Sequence, residues 1–145
     1  MIYISHRGNI DGINENRENS PEYINEAIKK GFDVEVDVWK IGQDFMLGHD
    51  KPQYKVDRSF LVRPMIWCHA KNIDALRSLL RINSHCFWHE EDQVTLTSRG
   101  FIWTYPGNEL NNLSVCVLPE TIEKEQDLKK CAGICSDLIG KYRND

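Results

Sequence analysis

The chain has 145 residues, 41% hydrophobic and 28% charged, which is enough for one domain with a sizeable apolar core. Its formal net charge of −4 and the lack of a basic run interleaved with aromatic residues argue against nucleic-acid binding. No apolar stretch approaches the length of a membrane span, and the N-terminus lacks the basic and apolar regions of a signal peptide, so we expect one cytoplasmic domain over residues 1–145.

The first third of the chain predicts a strand, a helix and a second strand. The strand is the apolar run Ile2–Ser5, and the polar segment 9–19 that follows predicts a loop. Ser20 is placed as the N-cap of a helix over Pro21–Lys30. The next segment, Asp33–Trp39, reads DVEVDVW, and its alternation predicts a buried strand with valines on one face and carboxylates on the other.

The rest of the chain predicts more short strands and two more helices. The helices are expected over residues 73–80, after the N-cap Asn72, and over residues 121–130. Segment 51–64 shows no clear pattern. Strands are predicted at 45–48, 65–71, 85–89, 94–97, 101–104, 113–118 and 133–135.

Polar side chains follow the carboxyl ends of many of these strands, which is typical of the active-site edge of a parallel barrel or α/β sheet. A (β/α)₈ barrel usually needs about 200 residues or more, and several crossovers here are too short to hold a helix. We therefore expect an α/β fold, a reduced TIM (β/α) barrel with several outer helices missing or replaced by loops. The uncovered strands would leave an apolar surface that a homo-oligomer could cover.

The five cysteines favour reduced core thiols rather than a metal site. Four of them lie within or beside apolar, strand-like runs. Because the sequence has no Cys-x-x-Cys pair, a structural zinc site is poorly supported.

The acids of DVEVDVW are candidate metal ligands. Carboxylates crowded on one strand face repel each other and are costly to bury unless a cation lies between them. Glu35 and Asp37 would then hold a divalent ion such as Mg²⁺ or Ca²⁺. The alternative interpretation is a solvated strand face.

Other strand ends carry groups suited to a phosphodiester. Arg7, next to Gly8, can bind two phosphate oxygens at once through its guanidinium. His6 and His49 could share the proton transfers, one removing a proton from the nucleophile and the other protonating the leaving alkoxide.

Five motifs occur in order within the first third of the chain: His6-Arg7-Gly8, Glu18-Asn19-Ser20, Ala27 with Gly31, Glu35-Val36-Asp37-Val38, and His49-Asp50. In order and spacing they resemble the N-terminal signature of the glycerophosphodiester phosphodiesterases. The resemblance implies a TIM-barrel phosphodiesterase with His6 and His49 as the catalytic pair. It also implies Glu35 and Asp37 as metal ligands and Arg7 as the phosphate-contacting arginine.

The chain departs from that family on its fourth strand, where the family carries Glu-x-Lys and this sequence reads His69-Ala70-Lys71. Lys71 carries over as a phosphate contact, whereas His69 takes the place of a carboxylate ligand. An imidazole suits Mn²⁺ or another transition metal better than Mg²⁺ or Ca²⁺. Glu90 or Asp137 could supply the missing carboxylate, and Ser136-Asp137 resembles the Thr-Asp of the family's last strands.

The expected function is metal-dependent hydrolysis of a small glycerophosphodiester-like substrate, without a nucleic-acid partner. Aromatic residues near strand ends, Trp103 among them, either pack the interior or stack on a sugar or glycerol group. One alternative is a weak or inactive phosphate- or phosphodiester-binding module of the same fold. Another is a phosphoinositide-specific phospholipase C, which is less favoured because no amphipathic membrane-docking segment is found.

Overall fold

The computed structural model describes residues 1–144, in which ten strands form one curled, open mixed sheet. The strands are β1 (Ile2–His6), β2 (Asp33–Ile41), β3 (Asp44–Leu47), β4 (Tyr54–Val56), β5 (Ile66–Ala70), β6 (Cys86–Phe87), β7 (Val94–Leu96), β8 (Ile102–Thr104), β9 (Ser114–Val117) and β10 (Gly133–Ser136). The helices are α1 (Pro21–Lys29), α2 (Arg58–Leu61), α3 (Ile73–Arg81) and α4 (Ile139–Asn144).

The main hydrogen-bonded path runs through eight strands in the order β4-β3-β2-β1-β10-β9-β8-β7, and β5 and β6 branch from β2. Neighbours are parallel from β6 through β5, β2, β1, β10 and β9 to β8. The β3–β4 hairpin and the edge strand β7 are antiparallel to their neighbours. The parallel part brings the carboxyl ends of seven strands to one edge.

The predicted reduced TIM (β/α) barrel is therefore wrong. In the described part of the chain the sheet does not close into a continuous ladder, and only α1 and α3, at nine residues each, are substantial helices. Ser98, just after β7, exchanges two hydrogen bonds with Cys86 of β6, at 2.8 and 2.9 Å, but these contacts do not make a strand pair. The short connections leave no room for the helix that would follow each strand of a (β/α)₈ barrel.

The helix predicted over residues 121–130 is also wrong. The structure has two short 3₁₀ turns there, Pro119–Thr121 and Leu128–Lys130, with irregular chain between them. The segment TIEKEQDLKK has only two large apolar side chains and lacks the apolar stripe that would anchor a helix to the sheet.

The other predicted helices and strands are confirmed with small shifts of their ends. Ser20 caps α1 by accepting a hydrogen bond from the backbone of Tyr23, and Asn72 caps α3 in the same way. Segment 51–64, which had no clear pattern, forms β4 and α2. The sequence patterns did not indicate α4.

The alternation in β2 places its two faces as predicted. Val34, Val36 and Val38 are fully buried on the outer face, in the main apolar cluster beneath α1 and α3. A second cluster fills the inner face with Ile4, Trp67, Phe87, Trp103, Val115, Val117 and Cys135, drawn from strands around the curl. All five cysteines are buried and free.

The surface bears on two further expectations. No helix within residues 1–144 is long and apolar enough to cross a membrane. Val94 and Leu96 on the edge strand β7 are 47% and 71% exposed, so some apolar surface is left uncovered. The homo-oligomer that would cover it stays a prediction.

The inner face has a layer of aromatic and polar groups below the site. Asp33 accepts a hydrogen bond from the Trp67 indole at 2.8 Å. The Trp67 ring lies 4.0 Å from the buried His85 imidazole, and His85 Nε2 is 2.8 Å from Thr97 Oγ1. Burial, assisted by the charge of Arg99, lowers the pKa of His85 to about 4.

We expect this shift in pKa to make stability depend on pH. In the unfolded chain His85 takes up its proton near pH 6.5, whereas the folded protein resists it until about pH 4. Neutral His85 therefore makes its full contribution to the unfolding free energy above about pH 6.5. As the pH falls towards 4, this contribution decreases by about 1.4 kcal/mol per pH unit, up to a total of about 3 kcal/mol. This loss of stability is measured by urea unfolding of the wild type and of His85→Asn at several pH values between about 4 and 7. The difference in unfolding free energy between the two should shrink across this window, and a constant difference would contradict the assignment.

Candidate metal and phosphate site

The candidate site is a cavity of about 290 Å³ at the carboxyl ends of the parallel strands. Its lining includes eight residues predicted from the sequence, His6, Arg7, Glu35, His49, His69, Lys71, Glu90 and Trp103. Hollows of up to about 720 Å³ lie elsewhere on the surface, so size does not distinguish this cavity. What distinguishes this cavity from the others is its set of buried ionisable side chains.

Glu35, Asp37 and His69 form the floor of the site. Glu35 and Asp37 are two residues apart on β2 and share its inner face, and His69 is the parallel partner of Asp37 on β5. His69 Nδ1 lies 3.6 Å from Glu35 Oε1 and 3.5 Å from Asp37 Oδ1. One possible ligand atom from each residue lies within 4.8 Å of the other two. Strand register brings these three side chains together.

The chemistry of this group fits a metal ion. Glu35 and Asp37 are 1% and 0% exposed. Within the described residues, Glu35 Oε2 and Asp37 Oδ1 are buried and accept no hydrogen bond. A buried carboxylate oxygen without a partner is costly, and a bound cation is one of the few groups that removes the cost. The buried Glu35/Asp37/His69 group could therefore hold a metal ion.

The two carboxyl groups differ in their pKa shifts. Burial alone would raise the pKa of Glu35, but the nearby His69, with Nδ1 3.6 Å from Oε1, and the charges of His6 and Arg7 lower it to about 2. The pKa of Asp37 is raised by burial and by the charge of Glu35, despite the cations nearby. Like charges this close oppose ionisation of both groups. An added cation would let both carboxylates ionise together.

Two permanent cations border the carboxylates. Arg7 Nε forms an ion pair with Asp37 Oδ2 at 3.0 Å, and Arg7 Nη1 lies 3.4 Å from Glu18 Oε2. Lys71 Nζ is 4.0 Å from Asp37 Oδ1. Both side chains line the cavity and leave it with positive groups suited to a phosphate.

His6 belongs to a second polar network. Its Nδ1 lies 2.8 Å from Asp137 Oδ1, and Asn9 Nδ2 donates to the same oxygen at 2.8 Å. Asp137 is the acceptor, so Nδ1 of His6 carries hydrogen and Nε2 is left 3.8 Å from Glu35 Oε2. Burial would lower the pKa of His6, but the Asp137 hydrogen bond and the charge of Glu35 raise it. Asp137 therefore orients His6.

The remaining predicted site residues are spread around the cavity. His49 lies at its rim with a side chain 42% exposed, and its Nδ1 is 2.8 Å from the exposed Asp50. Glu90 is exposed on the rim, and the Glu35/Asp37/His69 group includes neither Glu90 nor Asp137. Trp103 is buried in the wall.

Sequence reasoning missed several supporting residues. Asn9 is fully buried and joins Asp137 to Glu18 through its amide group, with both bonds at 2.8 Å. His89 accepts a bond from His69 Nε2 through its backbone oxygen and stacks on Tyr105 at 3.7 Å. Asn9 follows the His-Arg-Gly motif directly, which is the one signal that could have identified it.

The loop after β1 requires special backbone conformations. Arg7 has φ +56° and Gly8 has φ +98°, both in the left-handed region. A methyl group on Gly8 would lie 2.6 Å from Cδ1 of Tyr23, so a side chain is excluded on steric grounds as well. The backbone of Arg7 is held by two hydrogen bonds. Its N–H donates to the backbone carbonyl of Glu35, and its carbonyl accepts from the backbone N–H of Asn19. The Arg-Gly pair thus fixes where the guanidinium enters the cavity.

Comparisons of this chain with protein-family models, with curated proteins and with solved structures found no match. The resemblance to the glycerophosphodiester phosphodiesterases therefore rests on the motifs alone and stays a prediction.

Asn19 positions Asp37, and we expect its loss to be costly. Its Nδ2 donates to Asp37 Oδ2 and its Oδ1 accepts from the Asp37 backbone, both at 2.9 Å. Asn19→Ala should lower the unfolding free energy by about 2–4 kcal/mol relative to a matched control, because one bond goes to a carboxylate and a buried N–H loses its acceptor.

The control is Asn83→Ala, measured by the same urea unfolding experiment. Asn83 is exposed and has φ +57°, close to the +63° of Asn19, so both substitutions carry the same backbone penalty. Equal losses in the two variants would show that the side-chain bonds of Asn19 contribute nothing.

Proposed function

We propose that the protein is a metal-dependent phosphodiester hydrolase acting on a small, glycerophosphodiester-like substrate. The observation that carries the proposal is the buried Glu35/Asp37/His69 group, on the floor of a cavity bordered by Arg7 and Lys71. Two of its carboxylate oxygens have no hydrogen-bond partner among residues 1–144. A metal site next to cationic side chains is what an anionic phosphodiester requires.

Arg7 and Lys71 bind the phosphate in this proposal. Arg7 is pre-oriented by its ion pairs with Asp37 and Glu18, so little side-chain freedom is lost when the anion binds. Lys71 follows β5 directly and brings a second positive charge to the same space. A metal held by Glu35, Asp37 and His69 would supply further neutralisation of the phosphoryl charge.

His6 and His49 divide the proton transfers. His6 is nearly buried, and its Nδ1 is held by Asp137, so in the neutral ring Nε2 is the atom available to take a proton from an attacking hydroxyl or water. His49 lies at the open rim, where a leaving alcohol would depart to solvent. It is placed to protonate that alcohol.

The dimensions of the cavity favour a small substrate. A volume of about 290 Å³ holds a phosphate with a short alcohol. Trp103, Val117 and Leu118 form an apolar wall that suits the carbon face of a glycerol or sugar group.

A binding module without catalysis is the second candidate, and one observation favours it. Arg7 and Lys71 lie 3.0 and 4.0 Å from Asp37, so the charges of Glu35 and Asp37 are balanced by protein cations without a metal. In that case the cavity would bind a phosphodiester and release it unchanged.

Hydrolysis assays separate these functions. Purified protein is incubated with Mg²⁺, Ca²⁺, Mn²⁺ or Zn²⁺ and a panel of glycerophosphodiesters and aryl phosphodiesters. We expect metal-dependent turnover, and a fall in kcat/KM of about 10²–10⁴-fold in His6→Asn, because the proton acceptor is lost. Lys71→Met should also lose activity, whereas Lys55→Met, at an exposed lysine far along the sheet, is the matched control.

Two outcomes would contradict the proposal. Turnover as fast as wild type in both His6→Asn and His49→Asn would remove the acid–base mechanism. Calorimetric binding of the phosphodiesters with no turnover under any of the four metals would establish the binding module instead.

A further inference from the structure

We infer that the site selects a transition-metal dication, of the Mn²⁺, Co²⁺ or Zn²⁺ kind, over Mg²⁺ and Ca²⁺, and that Nδ1 of His69 is the selecting ligand. The inference deepens the proposed function and rests on its metal site, but not on its substrate or its acid–base pair. The main evidence for this metal preference is the hydrogen bond between Nε2 of His69 and the backbone oxygen of His89.

The tautomer of His69 is set by that bond. Its Nε2 lies 3.0 Å from the backbone oxygen of His89. A carbonyl oxygen can only accept, so Nε2 carries the hydrogen. In the neutral ring Nδ1 then keeps its lone pair, and Nδ1 is the atom 3.6 and 3.5 Å from Glu35 Oε1 and Asp37 Oδ1. A metal-bound histidine with its other nitrogen bonded to a carbonyl is the usual arrangement in proteins.

The ring is also held in place by packing. His69 stacks on the buried Phe87 with ring centroids 5.0 Å apart and an interplanar angle of 19°. Its side chain is 13% exposed, so rotation out of the site would have to displace the inner apolar cluster. The imidazole ring is therefore in position before any ion arrives, and little ordering is needed on binding.

The donor set suits a borderline metal better than a hard one. Ca²⁺ takes six to eight oxygen ligands and Mg²⁺ a near-octahedral oxygen shell, whereas imidazole nitrogen suits Mn²⁺, Co²⁺ and Zn²⁺. The one clustered ligand group found within residues 1–144 offers two carboxylates and one imidazole. A nitrogen ligand in place of a third carboxylate removes both an oxygen and a negative charge.

The neighbouring cations strengthen this preference. Arg7 and Lys71 each lie within 4.0 Å of Asp37 and repel an incoming dication. Mg²⁺ and Ca²⁺ are held largely by charge, so they lose most from this repulsion. A metal that also gains a strong bond to the Nδ1 lone pair is less affected.

The test is a comparison of metal affinities in metal-free full-length protein, by calorimetry with Mg²⁺, Ca²⁺, Mn²⁺ and Zn²⁺ alone. We expect Mn²⁺ and Zn²⁺ to bind at least about 100-fold more tightly than Mg²⁺. Because many sites favour Zn²⁺ to some extent, the deciding variant is His69→Glu, which restores an oxygen ligand. The ratio of Zn²⁺ to Mg²⁺ affinity should fall at least tenfold in His69→Glu and stay unchanged in His49→Gln, a cavity histidine outside the ligand group.

A measurement on the wild type keeps the inference testable if His69→Glu does not fold. Long-range ¹H–¹⁵N spectra with and without Zn²⁺ should show the His69 Nδ1 resonance move while Nε2 stays protonated. A proton lost from Nε2, an unshifted His69 ring, or an unchanged affinity ratio in His69→Glu would overturn the inference. Selective metal binding without phosphodiester turnover would overturn the proposed function alone, and turnover with Mg²⁺ as the tightest ion would overturn this inference alone.

Discussion

The site depends on the burial of two carboxylates on adjacent inward positions of one strand. Glu35 and Asp37 are almost fully removed from water, yet each keeps one oxygen without a hydrogen-bond partner among the described residues. Close like charges in a medium of low dielectric constant are strongly unfavourable unless cations compensate them. The surrounding cavity can be understood as the compensation for this pair: the cations Arg7 and Lys71 approach Asp37 within 3.0–4.0 Å.

Residues that touch neither carboxylate of this pair hold the reactive groups in orientation. Asp137 fixes the ring of His6 and is itself held by Asn9, and the backbone oxygen of His89 fixes His69. Each histidine thus presents a defined nitrogen to the cavity. Because the two histidines are already held, little side-chain freedom is lost when a ligand binds. These supporting bonds account for the polar contacts behind the cavity wall.

The sequence predicted the grouping of Glu35, Asp37 and His69 better than it predicted the fold. The alternation of DVEVDVW correctly separated the acids from the core valines, because a strand has a fixed period of two and the helices above it bury one face. The barrel was inferred from the motif resemblance and from polar residues at strand ends, but these patterns do not distinguish a closed barrel from a curled open sheet. The helix at 121–130 failed because its sequence has charge without an apolar stripe. The links from Asn9 to Asp137 and from His69 to His89 join segments far apart in the chain, and no local pattern encodes them.

The central claim is that the Glu35/Asp37/His69 group binds a metal ion. The most direct measurement is a crystal structure of the protein grown with Mn²⁺, with data collected for anomalous scattering from manganese. The account predicts an anomalous peak between Glu35, Asp37 and His69, bonded to Nδ1 of the imidazole. Well-ordered side chains with no anomalous peak there, and with Lys71 closing onto the two carboxylates instead, would contradict it.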